Sequence, residues 1–152
     1  MRALLIYDSV SEAKVTGKVA EMIASEMRSN GASVDVLFVE DAGKVDIKSY
    51  DLLVLGAPTM AWRPSPRMKK FLASMTDGLD GRAATTFDTQ FESRFAGNAT
   101  RHMEKALRKK GMKIVVPSLV AYVVSKDKLY HLREDQAQKI SSWAKELVKA
   151  VK

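Results

Sequence analysis

Cysteine is absent from the chain, which removes disulfides, thiolate nucleophiles, thiolate-bound zinc and cysteine-ligated iron–sulfur clusters. Histidine is nearly absent: His102 and His131 stand alone, too few for an imidazole metal site, so no metal ligand is assigned. Glycine (8 residues) and proline (4) are sparse, which excludes collagen-like and Pro/Gly-rich disordered architectures. No apolar run approaches a membrane span, and the stretch before Asp8 is too short for a secretory signal. A cytoplasmic protein without membrane contact is the expectation. Also missing is any Gly-x-Gly-x-x-Gly fingerprint for a dinucleotide.

What is there is the composition of a globular protein, 46% hydrophobic and 28% charged over 152 residues. A chain of that size buries about two-thirds of its unfolded surface, and one domain over residues 1–152 is expected. The net charge of +7 is unevenly placed. Residues 1–50 hold 6 basic and 8 acidic side chains, residues 51–100 hold 6 and 5, and residues 101–152 hold 13 and 5. Such a gradient either steers an acidic partner or marks solvated helix faces. No nucleic-acid motif accompanies it.

Hydrophobic period alternates between strand and helix along the chain. Arg2–Tyr7 is a nearly continuous apolar run, as in a strand buried on both faces, and Thr16–Ser29 carries Val19, Met22, Ile23 and Met27 at helical spacing before Asn30-Gly31. Ser33–Val39 and Tyr50–Gly56 read as strands; Pro66–Ser74 is a helix opened by proline, and Arg82–Phe87 is a fourth strand. Asn98 is placed to cap a helix ended by Gly111, Lys113–Val124 is a fifth strand region interrupted at Pro117, and Arg133–Val151 is the last helix. This order predicts an α/β fold: a doubly wound, five-stranded parallel sheet, order 2-1-3-4-5, with helices on both faces. In that order the loops Asp8–Val15, Ala57–Ser65 and Asp88–Gly97 converge on one edge, where a ligand is expected.

The residues at those loops carry a resemblance. Ile6-Tyr7-Asp8-Ser9 closes strand 1, Ser49-Tyr50-Asp51 leads into a strand ending Gly56-Ala57-Pro58-Thr59, a helix with Met68-Lys69-Lys70-Phe71-Leu72 follows, and strand 4 runs into Phe87-Asp88-Thr89. Over essentially its whole length the chain resembles the flavodoxin family, and its short fifth-strand region is closest to the short-chain branch. The resemblance implies that three loops hold FMN and that the protein shuttles electrons.

In the family a Ser/Thr-x-Thr-Gly-x-Thr loop receives the flavin phosphate. Here the matching segment is Ser9-Val10-Ser11-Glu12-Ala13-Lys14-Val15-Thr16, which has no glycine and brings in Glu12. Either Ser9 and Thr16 match the outer hydroxyls with two extra residues between them, or Ser9 and Ser11 match in register and Lys14 replaces the final threonine. Lys14 can compensate as a point charge. The second loop, Ala57-Pro58-Thr59-Met60-Ala61-Trp62-Arg63, is expected at the ring, with Met60 or Trp62 packing on it and Ala61 where many members have a glycine. From the third loop Asp88, Thr89, Gln90 and Gly97 offer polar and backbone groups, and Phe91 or Phe95 covers the outer ring face.

The resemblance makes an FMN-binding electron carrier the leading expectation, more so than a substrate-specific oxidoreductase; the cations Arg63, Arg67, Lys69 and Lys70, just after the ring-facing loop, make an acidic redox partner the expected one. An FMN-dependent oxidoreductase acting on a small substrate, and a flavin-free binding module of the same fold, are the alternatives. No catalytic dyad is evident, and a carrier needs none because the flavin does the chemistry.

Overall fold

The computed structural model describes residues 1–9, 14–60, 63–91, 97–126 and 129–151. In chain order the elements are β1 (Arg2–Tyr7), α1 (Val15–Ser29), β2 (Ser33–Phe38), β3 (Leu52–Pro58), α2 (Pro66–Ser74), β4 (Ala83–Phe91), α3 (Ala99–Lys109), β5 (Lys113–Ile114), β6 (Leu119–Lys126), β7 (Leu129–Leu132) and α4 (Gln136–Val151). They form a sheet of order β2-β1-β3-β4-β6-β7, with the two-residue β5 also on β4. Every pairing from β2 through β6 is parallel, which is the expected doubly wound core.

Alternation along the central strands divides the core into two layers. From β1, Ala3 and Leu5 face the layer that holds Val19, Ile23 and Met27 of α1 and Ile140, Ala144 and Leu147 of α4. Leu4 and Ile6 face the other, with Met68, Phe71 and Leu72 of α2 and Met103 and Leu107 of α3. Each helix thus buries the apolar stripe that its spacing predicts. Proline stands at the start of α2, and α1 ends in Asn30 followed by Gly31 at φ 92°, a value that suits glycine. Gly56 answers a different need. A Cβ there would lie 2.0 Å from Cζ of Phe87, its partner on β4, so the two strands approach only because that side chain is missing.

Two boundaries move, one expected break is met and one strand is added, each for a physical reason. β4 continues through Phe91 rather than stopping at Phe87, because residues 87–91 pair with Leu119–Val123 of β6 and their polar side chains are buried and bonded to one another. The fifth strand region does break around Pro117, which has no N–H to offer a ladder, and both halves pair with β4. The segment before the last helix adds β7, antiparallel to β6 on the sheet edge. The Arg133 N–H still bonds to the Tyr122 carbonyl, so α4 begins at Gln136 and not at Arg133. Among the described residues no helix is long and apolar enough to cross a membrane.

Candidate functional site

The carboxyl ends of β1, β3 and β4 lie side by side, with Tyr7 opposite Gly56, Ala57 opposite Asp88 and Pro58 opposite Thr89. Several side chains expected to face a ligand instead brace the three ends against each other. Thr16, in the first turn of α1, is buried, and its hydroxyl lies 2.7 Å from that of Thr89. The Thr59 hydroxyl donates to Asp88 Oδ2 at 2.9 Å and accepts from the Ala99 N–H at 3.0 Å, while the Thr59 N–H bonds to the Thr89 carbonyl. Gln90 donates to both oxygens of Asp88 and to Asn98 Oδ1 at 2.7 Å. Asn98 therefore does not cap α3 with its side chain as expected; the helix start is met by Thr59 and Asp88 from neighbouring strands.

Asp88 is fully buried. Burial pushes its carboxyl up to about 6, against the pull of hydrogen bonds from Gln90, Thr59 and the Thr100 and Ala99 backbone. A raised carboxylate value means the folded state binds more protons than the unfolded state between about pH 4 and pH 6. Stability should then fall as pH rises through that window, by about 3 kcal/mol at most, and level off above it. Urea unfolding followed against pH checks this: Asp88→Asn should flatten the slope, and an unchanged slope would assign it to other groups.

At the first loop, Asp8 is buried and its Oδ1 accepts from Arg67 (Nη2 at 2.7 Å, Nε at 2.9 Å) and from the Ser9 N–H at 2.8 Å. Arg67 also donates to the Ser9 carbonyl at 3.2 Å and to Glu40 at 3.4 Å, and stands over the Phe38 ring. The sequence pattern did not single out this arginine as part of the first loop's frame, since it lies in α2, 58 residues from Ser9. The one signal was its place in the first turn of the helix that follows the second loop.

Lys14 is the N-terminal neighbour of α1 and has φ 51° and ψ 43°, the left-handed region, where it is the one non-glycine residue among those described. A glycine sits there without strain and a lysine does not. The chain thus keeps the backbone of a glycine turn before α1 and has a cation in it. Val15 begins the helix and is buried, so it presents backbone and no side chain. Val10, Ser11, Glu12 and Ala13, expected to shape this loop, lie outside the described residues, as do Ala61, Trp62 and Phe95.

Among the described residues, three buried side-chain oxygens have no hydrogen-bond partner: Asp8 Oδ2, Ser9 Oγ and Ser65 Oγ. They belong to the end of β1 and to the residue preceding α2, hence to the first and second loops. Two hydroxyls able to donate and one carboxylate oxygen able to accept suit a ligand that offers both anionic oxygens and hydroxyls. A phosphorylated sugar-alcohol chain, as in FMN, has both. At the outer rim, Met60 and Phe91 are 43% and 46% exposed, and Met60 and Arg63 exchange backbone hydrogen bonds. Ala57 is buried in β3, Pro58 half-buried, and Gly97 leads into α3 at φ 68°. Beside the first loop, on the β2 side, a cavity of about 680 Å³ is lined by Tyr7, Ser9, Lys14, Lys18, Phe38 and Arg67, among others.

Known proteins share this fold. A family model described as a flavodoxin domain matches residues 4–146. A flavodoxin of Aquifex aeolicus is 33% identical over 93 residues, 58% of this chain and 49% of that protein, so the chain spans about half the length of the curated relative it matches. Among solved structures, oxidised flavodoxin 2 from Bacillus cereus superposes with a TM-score of 0.81 at 20% identity, over 98% of this chain and 99% of that one. Oxidised flavodoxin 1 from the same organism gives 0.79 at 22%, over 98% of each chain. At such identities the likeness is one of fold.

Proposed function

Since the chain belongs to the flavodoxin family, we propose that it binds FMN at the joined ends of β1, β3 and β4 and acts as an electron carrier for an acidic redox protein. The observation that carries this reading is the set of unpartnered buried oxygens on Asp8, Ser9 and Ser65, at an edge where Thr16, Thr59 and Thr89 lock the three strand ends together. When bound, FMN supplies the redox chemistry through its ring. Lys14, the Ser9 hydroxyl and the N–H groups opening α1 would hold the phosphate, where the helix dipole favours an anion. Met60 and Phe91 would border the ring, with Ala61, Trp62 and Phe95 as further contacts from the same two loops. Titration calorimetry with FMN tests the reading; a protein that takes up no flavin would be a binding module with another ligand.

Lys14→Gly separates two roles of one residue. It should stabilise the fold by about 1 kcal/mol, since glycine adopts the left-handed turn without strain. It should also weaken FMN by roughly tenfold or more, as loss of a charge-assisted contact does, and leave riboflavin, which has no phosphate, nearly unchanged. Thermal unfolding and parallel titrations with both flavins give the answer; equal losses would place Lys14 away from the phosphate.

The cations expected to meet an acidic partner require one correction. Arg67 is engaged by Asp8 and Glu40, whereas Arg63, Lys69 and Lys70 make no ion pair among the described residues. The part of the cavity lined by Tyr7, Lys18, Glu21 and Phe38 supports a second reading, an FMN-dependent oxidoreductase acting on a small substrate. Sustained turnover of a small acceptor with no partner protein would favour it.

A further inference from the structure

α2 and α3 lie side by side over the same core layer, and their outer faces are basic. His102, Lys105 and Lys109 recur at helical spacing on the exposed face of α3, opposite the buried Met103 and Leu107, and Lys69 of the neighbouring α2 and Arg63 before it add positive charge toward His102. None of these four cations forms an ion pair among the described residues, unlike Arg2, Arg108, Lys110 and Lys145, which do. The remaining charges of these elements do not relieve the crowding. Arg101 on α3 and Lys70 on α2 carry the same sign, and Glu104, the carboxylate on α3, is turned to Ser118 and Arg108. Partial burial first, and then the four cations, keep His102 below its ordinary value. The cluster is joined to the site through Arg63, whose backbone is bonded to that of the exposed Met60. An apolar rim beside unpaired cations has the anatomy of a polar, steered docking surface.

We propose that Arg63, Lys69, His102, Lys105 and Lys109 form the docking surface for an acidic protein partner, and that His102 takes up a proton as the partner's carboxylates arrive. The proposal rests on the electron-carrier reading for the partner's redox role, while the surface itself is independent of flavin. Carboxylates placed among the four cations offset the repulsion that, after partial burial, disfavours the charged imidazole, so protonation and docking favour each other. Binding therefore tightens as pH falls through the range in which histidine titrates, and weakens with salt.

The test uses poly-L-aspartate as the acidic probe and the isotope-labelled full chain, with and without FMN. The His102 ring signals should shift to a higher midpoint when the probe is present, while those of His131 on β7 stay unmoved. Binding should be about tenfold tighter near pH 5.5 than near pH 8, corresponding to a displacement of about one unit. His102→Gln should abolish the pH dependence. The pair Lys105→Glu/Lys109→Glu should remove binding, and Lys149→Glu on α4, a reversal on another helix, should leave it intact. Binding that ignores pH, that survives reversal of both α3 lysines, or that is surpassed by a DNA duplex at matched charge and salt would overturn the proposal. Loss of probe binding with intact FMN uptake would count against this surface alone, and loss of FMN uptake with intact probe binding against the flavin reading alone.

Discussion

Gly56→Ala is expected to destabilise the fold by about 3 kcal/mol, the upper end of what overpacking a filled core produces. The added carbon would stand 2.0, 2.2 and 2.5 Å from three ring carbons of Phe87, well inside contact distance. Phe87 is fully buried and is the register partner of Gly56, so neither ring nor strand has free space to move into. Since β3 ends two residues later at Pro58, any widening of the strand pair displaces Ala57 and Thr59 as well. FMN affinity should therefore fall together with stability. Urea unfolding measures the first effect and flavin titration the second. Gly56→Ala/Phe87→Leu should recover part of the loss, and a single variant as stable as the parent protein would mean that the strands do not meet in this way.

A second large effect is expected at the ion pair beneath the first loop. Arg67→Met keeps the bulk of the side chain against Phe38 but leaves Asp8, fully buried, with one donor, the Ser9 N–H. An unpaired buried carboxylate costs several kcal/mol, and because the arginine side chain is 41% exposed, water offsets part of that, leaving about 2 kcal/mol. The variant also loses the contact that fixes the Ser9 carbonyl, so binding of FMN should weaken more than a general loss of stability explains. Adding Asp8→Asn to Arg67→Met should restore most of the stability, because no buried charge then remains. Denaturant curves of the two single variants and the double variant form the cycle; strictly additive losses would show that the two residues do not depend on each other.

Of the site, the chain itself made legible that the ends of β1, β3 and β4 lie side by side. The helix stripes, the buried runs of β1 and β3, the stop at Asn30-Gly31 and the break at Pro117 are local signals, governed by period, backbone freedom and missing donors. From the order of those signals the sheet topology follows, because parallel strands joined by right-handed crossovers admit few arrangements. The family follows from the same residues.

The role of each polar side chain was decided by the tertiary structure. Thr16, Thr59, Asp88, Thr89 and Gln90 look in sequence like ligand-facing loop residues, since polarity after a strand ordinarily marks a loop. Once β6 pairs with residues 87–91 their backbone is buried, and a buried polar group must find its partner nearby, so they bond to one another. Lys14 carries no mark in sequence of its left-handed backbone, which replaces the missing glycine in conformation while keeping a charge. Nor does Arg67 announce Asp8: the two are 59 residues apart, and only the packing of α2 against the end of β1 brings a cation to a carboxylate that water no longer reaches. Period and turn chemistry act between neighbours in the chain and can be read from it, whereas desolvation and pairing act between neighbours in space and exist only after the fold has formed.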